Sequence, residues 1–436
     1  MSEFLERRFH ITERGSTIGR EILGGLVTFL AMAYIIFVNP GMLSATGMNY
    51  TAVMLATCIS AAIGTFLTAF MANVPFAQAP GMGLNAFFTY TLCFGMGYTW
   101  QQGLAIVFIS GLIFLLVTLS PLRNKIITAI PASLKRAISA GIGLFIALIG
   151  LLNAGIITAN NNLLDLGSIT SGAPLLAIIG LIITAILMIF KVKGAILYSI
   201  IATTLIGIPL GVTDTNITIS LKDLSIAPTF CQLSFTGLLG FGVIPLITAI
   251  LTFTMCDCFD TCGTLIGCAA GCDMLDENGN MENTSATKAL TADAMATVTG
   301  SLFGTSTVTT FVESSTGVAV GARTGLASII TGVLFLLACI LAPIAGIIPS
   351  AATTPALIIV GILMMANVAH IDWKNLEDAI PCFLTIAMMP FAYSISDGIG
   401  FGVIAWTLLK IVRGKFKEIP PLMYILSVLF ILMFIV

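Results

Sequence analysis

Apolar runs of membrane-spanning length fill this sequence almost end to end, and they leave few folds open to it. A helix needs about 20 consecutive apolar residues to cross a bilayer. Runs of that order lie at 20–38, 50–72, 101–119, 131–153, 173–190, 194–211, 236–258, 288–303, 325–342, 354–369, 375–392 and 395–412. Only 9% of the 436 residues are charged, against about 25% in soluble domains. The pattern predicts an all-α polytopic membrane protein in a lipid bilayer. Two further segments, near 84–95 and 311–320, are too short or too polar to cross alone and are expected to be half-helices, which makes fourteen elements with the twelve runs. The apolar tail 420–436 is expected to be an extra helix, just long enough to span.

Lysine and arginine set the orientation. Arg7, Arg8 and Arg14 place the N-terminus in the cytoplasm, and the polar first nineteen residues argue against a cleavable signal. The same count puts Arg123, Lys125, Lys135, Arg136, Lys191, Lys193, Lys288, Arg323, Lys374, Lys410, Arg413, Lys415 and Lys417 inside. The Asn160–Asn162 loop and a long polar loop at 212–235, with Lys222, fall outside. Seven elements up to Gly211 match seven from about Thr236, with a short polar element third in each half. An odd number of crossings inverts the second copy. Interrupted helices at matching places in inverted repeats point to a transporter's binding site.

The second half's short element reads Gly304-Thr-Ser-Thr-Val-Thr-Thr-Phe-Val-Glu-Ser-Ser-Thr-Gly317. A carboxylate at bilayer depth costs about 3 kcal/mol on insertion scales, so Glu313 should face the protein interior or a water-filled cavity. The β-branched, hydroxyl-rich run favours extended backbone, which persists at membrane depth only against protein or a cavity. Thr309 is a candidate to line that cavity. The first half's counterpart is Ala79-Pro-Gly-Met-Gly-Leu-Asn-Ala-Phe-Phe88. Its Pro80, Gly81 and Gly83 break regular structure. Asn85 carries both donor and acceptor groups, suited to a neutral heteroaromatic solute. Phe87 and Phe88 either offer a ring for stacking or face lipid.

A third signal is Cys256-Asp-Cys-Phe-Asp-Thr-Cys-Gly-Thr264. Asp257, Asp260 and Thr264 fall near one helix face, and Gly263, Gly267 and Gly271 form a small-residue ridge. The two acids either bind solute, carry a proton or sodium, or mark the membrane border. Three buried acids would together cost about 9 kcal/mol by the same insertion scale. Asp293 is expected in a structural ion pair, with Arg323 as one partner, and Asp397 in a turn between helices. His10 and His370 lie in polar flanks. Asp273, Asp276, Glu277 and Glu282 belong to a polar loop without calcium-loop spacing. The cysteines lack a CxxC pair or nearby histidine, which argues for core fillers over a zinc site. No basic cluster with interleaved aromatics suggests nucleic-acid binding. An enzyme would need a nucleophile with its base or a metal cluster.

At PGMGLNAFF, FDTCGT and TSTVTTFVESSTGVAVGARTGL the chain resembles AzgA-like purine permeases, the hypoxanthine–guanine–adenine branch of the nucleobase–cation symporters that include xanthine and uracil permeases. The likeness extends over about 15–415. It implies two inverted repeats of seven helices, with elements 3 and 10 as the half-helices. A core domain would take 15–125 (elements 1–4) and 236–345 (elements 8–11), a gate domain 126–212 (elements 5–7) and 350–415 (elements 12–14), leaving 420–436 outside both. By the resemblance, Asn85, Asp257 and Glu313 match positions tied to purine binding and Asp260 one tied to transport. Burial beside other acids also makes Asp257 a seat for proton coupling. The family implies proton rather than sodium symport, a plasma (inner) membrane location, a homodimer through the gate, and no cofactor. The motifs do not separate guanine and hypoxanthine from adenine. A carrier of xanthine, uracil or a small anion, or a channel, remains the alternative on the same scaffold. The half-helices hold no Lys or Arg, which weighs against an anion.

Overall fold

A computed structural model describes residues 2–120, 129–160, 163–170, 172–214, 224–272, 274, 281, 283–341 and 347–435. In chain order the elements are α1 (Ser2–Phe9), α2 (Ile18–Met32), α3 (Ile35–Leu43), α4 (Tyr50–Met71), β1 (Gln78–Pro80), α5 (Met82–Ala86), α6 (Trp100–Leu119), α7 (Ala132–Asn153), β2 (Ile157–Asn160), β3 (Leu163–Leu166), α8 (Gly172–Ile189) and α9 (Ala195–Gly207). There follow α10 (Val243–Ala270), α11 (Asn283–Phe303), β4 (Val308–Thr310), α12 (Ser314–Ala319), α13 (Gly325–Ala338), α14 (Ser350–Met365), α15 (Leu376–Phe391), α16 (Ile395–Val412) and α17 (Pro421–Ile435). The short α5 continues as a wider π-helical stretch, Phe87–Gly95. Among the described residues, eight helical stretches are long and apolar enough to cross a membrane. The chain is an all-α polytopic membrane protein.

The helices fall close to the apolar runs, because run length and helix length are set by the same bilayer. Three places differ. The first run is broken at Ala33–Tyr34, where Ile36 and Phe37 donate to the carbonyls of Ala33 and Tyr34 in a tight turn (3.2 and 3.1 Å). The run expected to end at 258 continues as α10 to Ala270, so the acid- and cysteine-rich stretch lies within a helix and does not mark its end. The loop at 212–235 is not a free polar excursion in its described part. There Cys231 N donates to the Leu302 carbonyl (2.7 Å), Thr229 Oγ1 to that of Phe303 (3.1 Å) and Ser234 N to that of Gln101 (3.0 Å). Lys222, Arg123, Lys125, Asp273, Asp276, Glu277 and Glu282 lie outside the described residues.

The helices pack in two groups. Helix α11 lies on α4 and α6, while α13 lies on α4 and α2. In a second group α14 packs on α7 and α8, and α15 packs on α7 and α16. The hairpin β2–β3 joins α7 to α8. The tail helix α17 docks on α16, where Ser427 Oγ donates to Thr407 Oγ1 (2.8 Å). At the start of α15, Glu377 pairs with Lys410 (3.3 Å), Arg413 (2.7 Å) and Lys415 (3.2 Å), which ties α15 to the far end of α16. Asp397 sits in the first turn of α16, where its N–H donates to the Ser394 Oγ cap (3.3 Å).

The two extended pieces lie in the interior and pair with each other. Strands β1 and β4 run antiparallel with Gln78 opposite Thr310, Ala79 opposite Thr309 and Pro80 opposite Val308. The ladder is continued by Gly81 N to the Thr307 carbonyl and Phe311 N to the Ala77 carbonyl (both 3.0 Å). All six strand residues are buried. This mutual pairing satisfies backbone that a bilayer could not. Two glycines make the ribbon possible. A Cβ on Gly81 would stand 2.9 Å from Thr309 Oγ1. Gly304, where α11 turns toward β4, has φ +96 and would bring a Cβ within 2.7 Å of the Thr229 carbonyl, a conformation that glycine alone adopts without strain.

Candidate functional site

Helix α10 crosses the ribbon and presents one stripe to it, with residues spaced three or four apart as one helix face requires. Phe253 meets Phe87 edge to face, with ring centroids 4.6 Å apart. One turn on, Asp257 is 2% exposed. Its Oδ2 accepts from Thr297 Oγ1 (3.1 Å), and the same hydroxyl lies 3.0 Å from the Val308 carbonyl of β4. The Asp257 Oδ1 has no hydrogen-bond partner among the described residues. A further turn on, Thr261 Oγ1 donates to Asp293 Oδ2 (2.8 Å), and Cys268 Sγ lies 3.9 Å from the Val312 carbonyl.

Asp260 is off this stripe and is exposed, within electrostatic reach of Glu313. The expected ridge is only partly packed. No atom lies within 4 Å of a Cβ built on Gly263 or Gly267, whereas Gly271 meets Val318. Lys135 on α7 lies over the Phe259 ring of α10 at 5.2 Å.

Glu313 leads into α12 and is half-buried. Its Oε1 accepts from the Tyr34 hydroxyl at 2.7 Å. Asn85, at 0% exposure, accepts from Ser306 Oγ, and its Nδ2 lies 4.0 Å from Met82 Sδ. Thr309 is 1% exposed and abuts Gly81. Phe87 and Phe88 are 1% and 0% exposed, so neither faces lipid. The structure therefore brings Asn85, Thr309 and Asp257 together through the 306–309 segment. Glu313 leaves the ribbon past Thr310, and Asn85 leaves it past Pro80, which is paired with Val308 at the other end.

The expected ion pair of Asp293 is not formed. Asp293 accepts from Thr261 Oγ1 (2.8 Å), Thr310 N (2.9 Å), Thr310 Oγ1 (3.0 Å) and Gln78 Nε2 (3.3 Å). Arg323 instead donates to the carbonyls of Val318 and Ala322 (both 2.8 Å). Asp293 thus clasps both strands from below. Tyr34, Thr297 and Gln78 were not singled out by the sequence. Their signal was a polar group in or beside an apolar run, which implies a partner without naming it.

The space around the site is asymmetric. On one side Tyr90, Phe145 and Tyr393 form a three-ring cluster with centroids 5.4–6.4 Å apart, and Asn153 Nδ2 donates to the Tyr90 hydroxyl (3.1 Å). Beside Asn153 lies a cavity of about 30 Å³, bounded by Gly41, Met42 and Thr354. The N-terminal segment lies at the other face, where Arg14 Nη1 bonds the Asn73 and Arg323 carbonyls (2.6 and 3.4 Å).

Two broken helices that meet in a shared, buried polar ribbon are a build expected of a transporter. Residues 19–401 match the Permease family, and the chain belongs to that family of xanthine/uracil-type permeases. It is similar to the guanine/hypoxanthine permease PbuG of Bacillus subtilis, 45% identical over 98% of each chain. It is also similar to the adenine permease AdeP of Escherichia coli, 42% identical over 98% of this chain and 95% of the relative. Among solved structures, the transmembrane domain of the cyanobacterial bicarbonate transporter BicA matches with TM-score 0.63 at 17% identity, covering 88% of this chain and 97% of that one. At that identity the likeness is one of fold.

Proposed function

We propose that this protein imports purine nucleobases by proton symport, as a secondary transporter with alternating access. The observation that carries the reading is the pair of acids at the ribbon. Among the described residues Asp257 holds a buried oxygen without a partner, and the one side chain bonded to the Glu313 carboxylate is Tyr34. A carboxylate accepts strongly from N–H donors, and guanine presents two adjacent ones on one edge. The names of the two relatives, one a guanine/hypoxanthine and one an adenine permease, support a purine base as the solute. No Lys or Arg is bonded to either acid among the described residues, so the site suits an uncharged base better than an anion.

In this reading Glu313 and Asp257 hold the base, with Asn85, Thr309 and Phe87 shaping the wall. Asp260, together with Asp257, handles the proton. The segments 15–125 and 236–345 form a core that moves against a gate of 126–212 and 350–415. The Tyr90–Phe145–Tyr393 cluster joins the two and parts when the site opens on that side. The N-terminus lies in the cytoplasm and the membrane is the plasma membrane.

Uptake of labelled hypoxanthine by cells lacking their own purine carriers tests this. Guanine or adenine in excess should compete, bicarbonate should not, and a protonophore should collapse accumulation. Accumulation that survives the protonophore, or competition by bicarbonate, contradicts the proposal.

A further inference from the structure

Tyr34 occupies the break in the first spanning run, between Met32 at the end of α2 and Ile35 at the start of α3. It is 1% exposed and among the largest fully buried side chains. Its hydroxyl reaches Glu313, 279 residues away in sequence, at 2.7 Å. No other side chain is bonded to the Glu313 carboxylate among the described residues. The tyrosine takes Oε1 and the acid's own backbone amide also bonds the carboxylate, which leaves lone pairs on this half-buried residue for a ligand. A phenol can serve a carboxylate only as a donor, so this bond fixes the rotation of the carboxylate plane.

We infer that Tyr34 is a positioning residue for substrate: it pins one oxygen of Glu313 so that the other is aimed at the N–H edge of the bound base. The inference rests on the purine reading of the site. A free carboxylate rotates, and a bidentate or single well-aimed bond from a base then loses its geometry.

The test is equilibrium binding and uptake of hypoxanthine and guanine with wild type, Tyr34→Phe and Glu313→Gln. Binding is measured on the monodisperse fraction of purified protein, so that a lower yield does not enter the affinity. Phenylalanine keeps the ring and removes only the donor. A hydrogen bond to a charged group is strong enough that its loss should weaken Kd and KM about tenfold, with the maximum uptake rate per folded carrier within about twofold. A purely structural role would instead lower the yield and the maximum rate and leave Kd unchanged, and that result overturns the inference. If Glu313→Gln binds as wild type, the purine site itself is misplaced. If Glu313→Gln fails to bind while Tyr34→Phe binds as wild type, the site stands and the role of Tyr34 falls.

Discussion

Asp257→Asn should abolish purine uptake while leaving the protein at least as stable as wild type. The two effects separate because of how Asp257 is held. Among the described residues its Oδ2 has one donor, Thr297, and its Oδ1 has none, at 2% exposure. Carrying such a group at bilayer depth costs about 3 kcal/mol, and the amide removes that charge with little change in shape. The asparagine Oδ1 can still accept from Thr297, so the link from α10 to Val308 survives. What is lost is a charged acceptor for the base and a group that can carry a proton. Uptake per folded carrier should fall by more than about a hundredfold, on the scale of losing a charge-assisted bond beside a desolvated ligand. Thermal unfolding of the purified variant should shift upward or stay constant. Uptake at the wild-type rate would remove Asp257 from the mechanism. A large drop in stability would make its role structural.

Asp293→Ala should do the reverse and cost the fold first. Four donors converge on this carboxylate: the Thr261 hydroxyl, the Thr310 amide and hydroxyl, and the Gln78 amide. All belong to residues 0–2% exposed. Alanine leaves them facing a void, and each buried unsatisfied donor costs about 1–3 kcal/mol. The sum should be about 2–6 kcal/mol even if half of the donors find water. Little folded protein should reach the membrane, and what does should unfold at markedly lower temperature. Asp293→Asn should be far milder, because one oxygen still accepts from Thr310 and the Thr261 hydroxyl can turn to accept from the new amide. Equal damage from both variants would show that charge at this position, rather than acceptor geometry, holds the ribbon. Full stability of the alanine variant would show that the ribbon does not depend on it.

These two aspartates also mark where the sequence was readable and where it was not. Helix positions followed from apolar run length, a one-dimensional quantity. The half-helices followed from Pro80, Gly81 and the hydroxyl-rich 304–317 stretch, because backbone that breaks inside a bilayer must be wrapped in protein. Glu313 and Asp257 stood out as charges within apolar surroundings. The partners did not. Asp293 draws its donors from α10, β1 and β4, three segments separated in the chain and brought together only by the antiparallel register of Gln78 with Thr310. Tyr34 looked like one more aromatic in an apolar run until its hydroxyl met Glu313. The end of α10 was misplaced for a related reason. Asp257, Asp260 and their cysteines lower the local hydropathy as a membrane border would, yet Asp257 and Thr261 fall on the buried stripe of a helix that runs on to Ala270. Hydropathy averages over faces, and only packing separates a border from a polar stripe.

Direct binding of labelled hypoxanthine to the purified protein, wild type beside Glu313→Gln, is the sharpest trial of the account. Saturable binding by wild type, displaced by unlabelled guanine and lost in the glutamine variant, is the predicted result. Equal affinity in both proteins, or no saturable binding by a well-folded wild type, would contradict a nucleobase site at the ribbon.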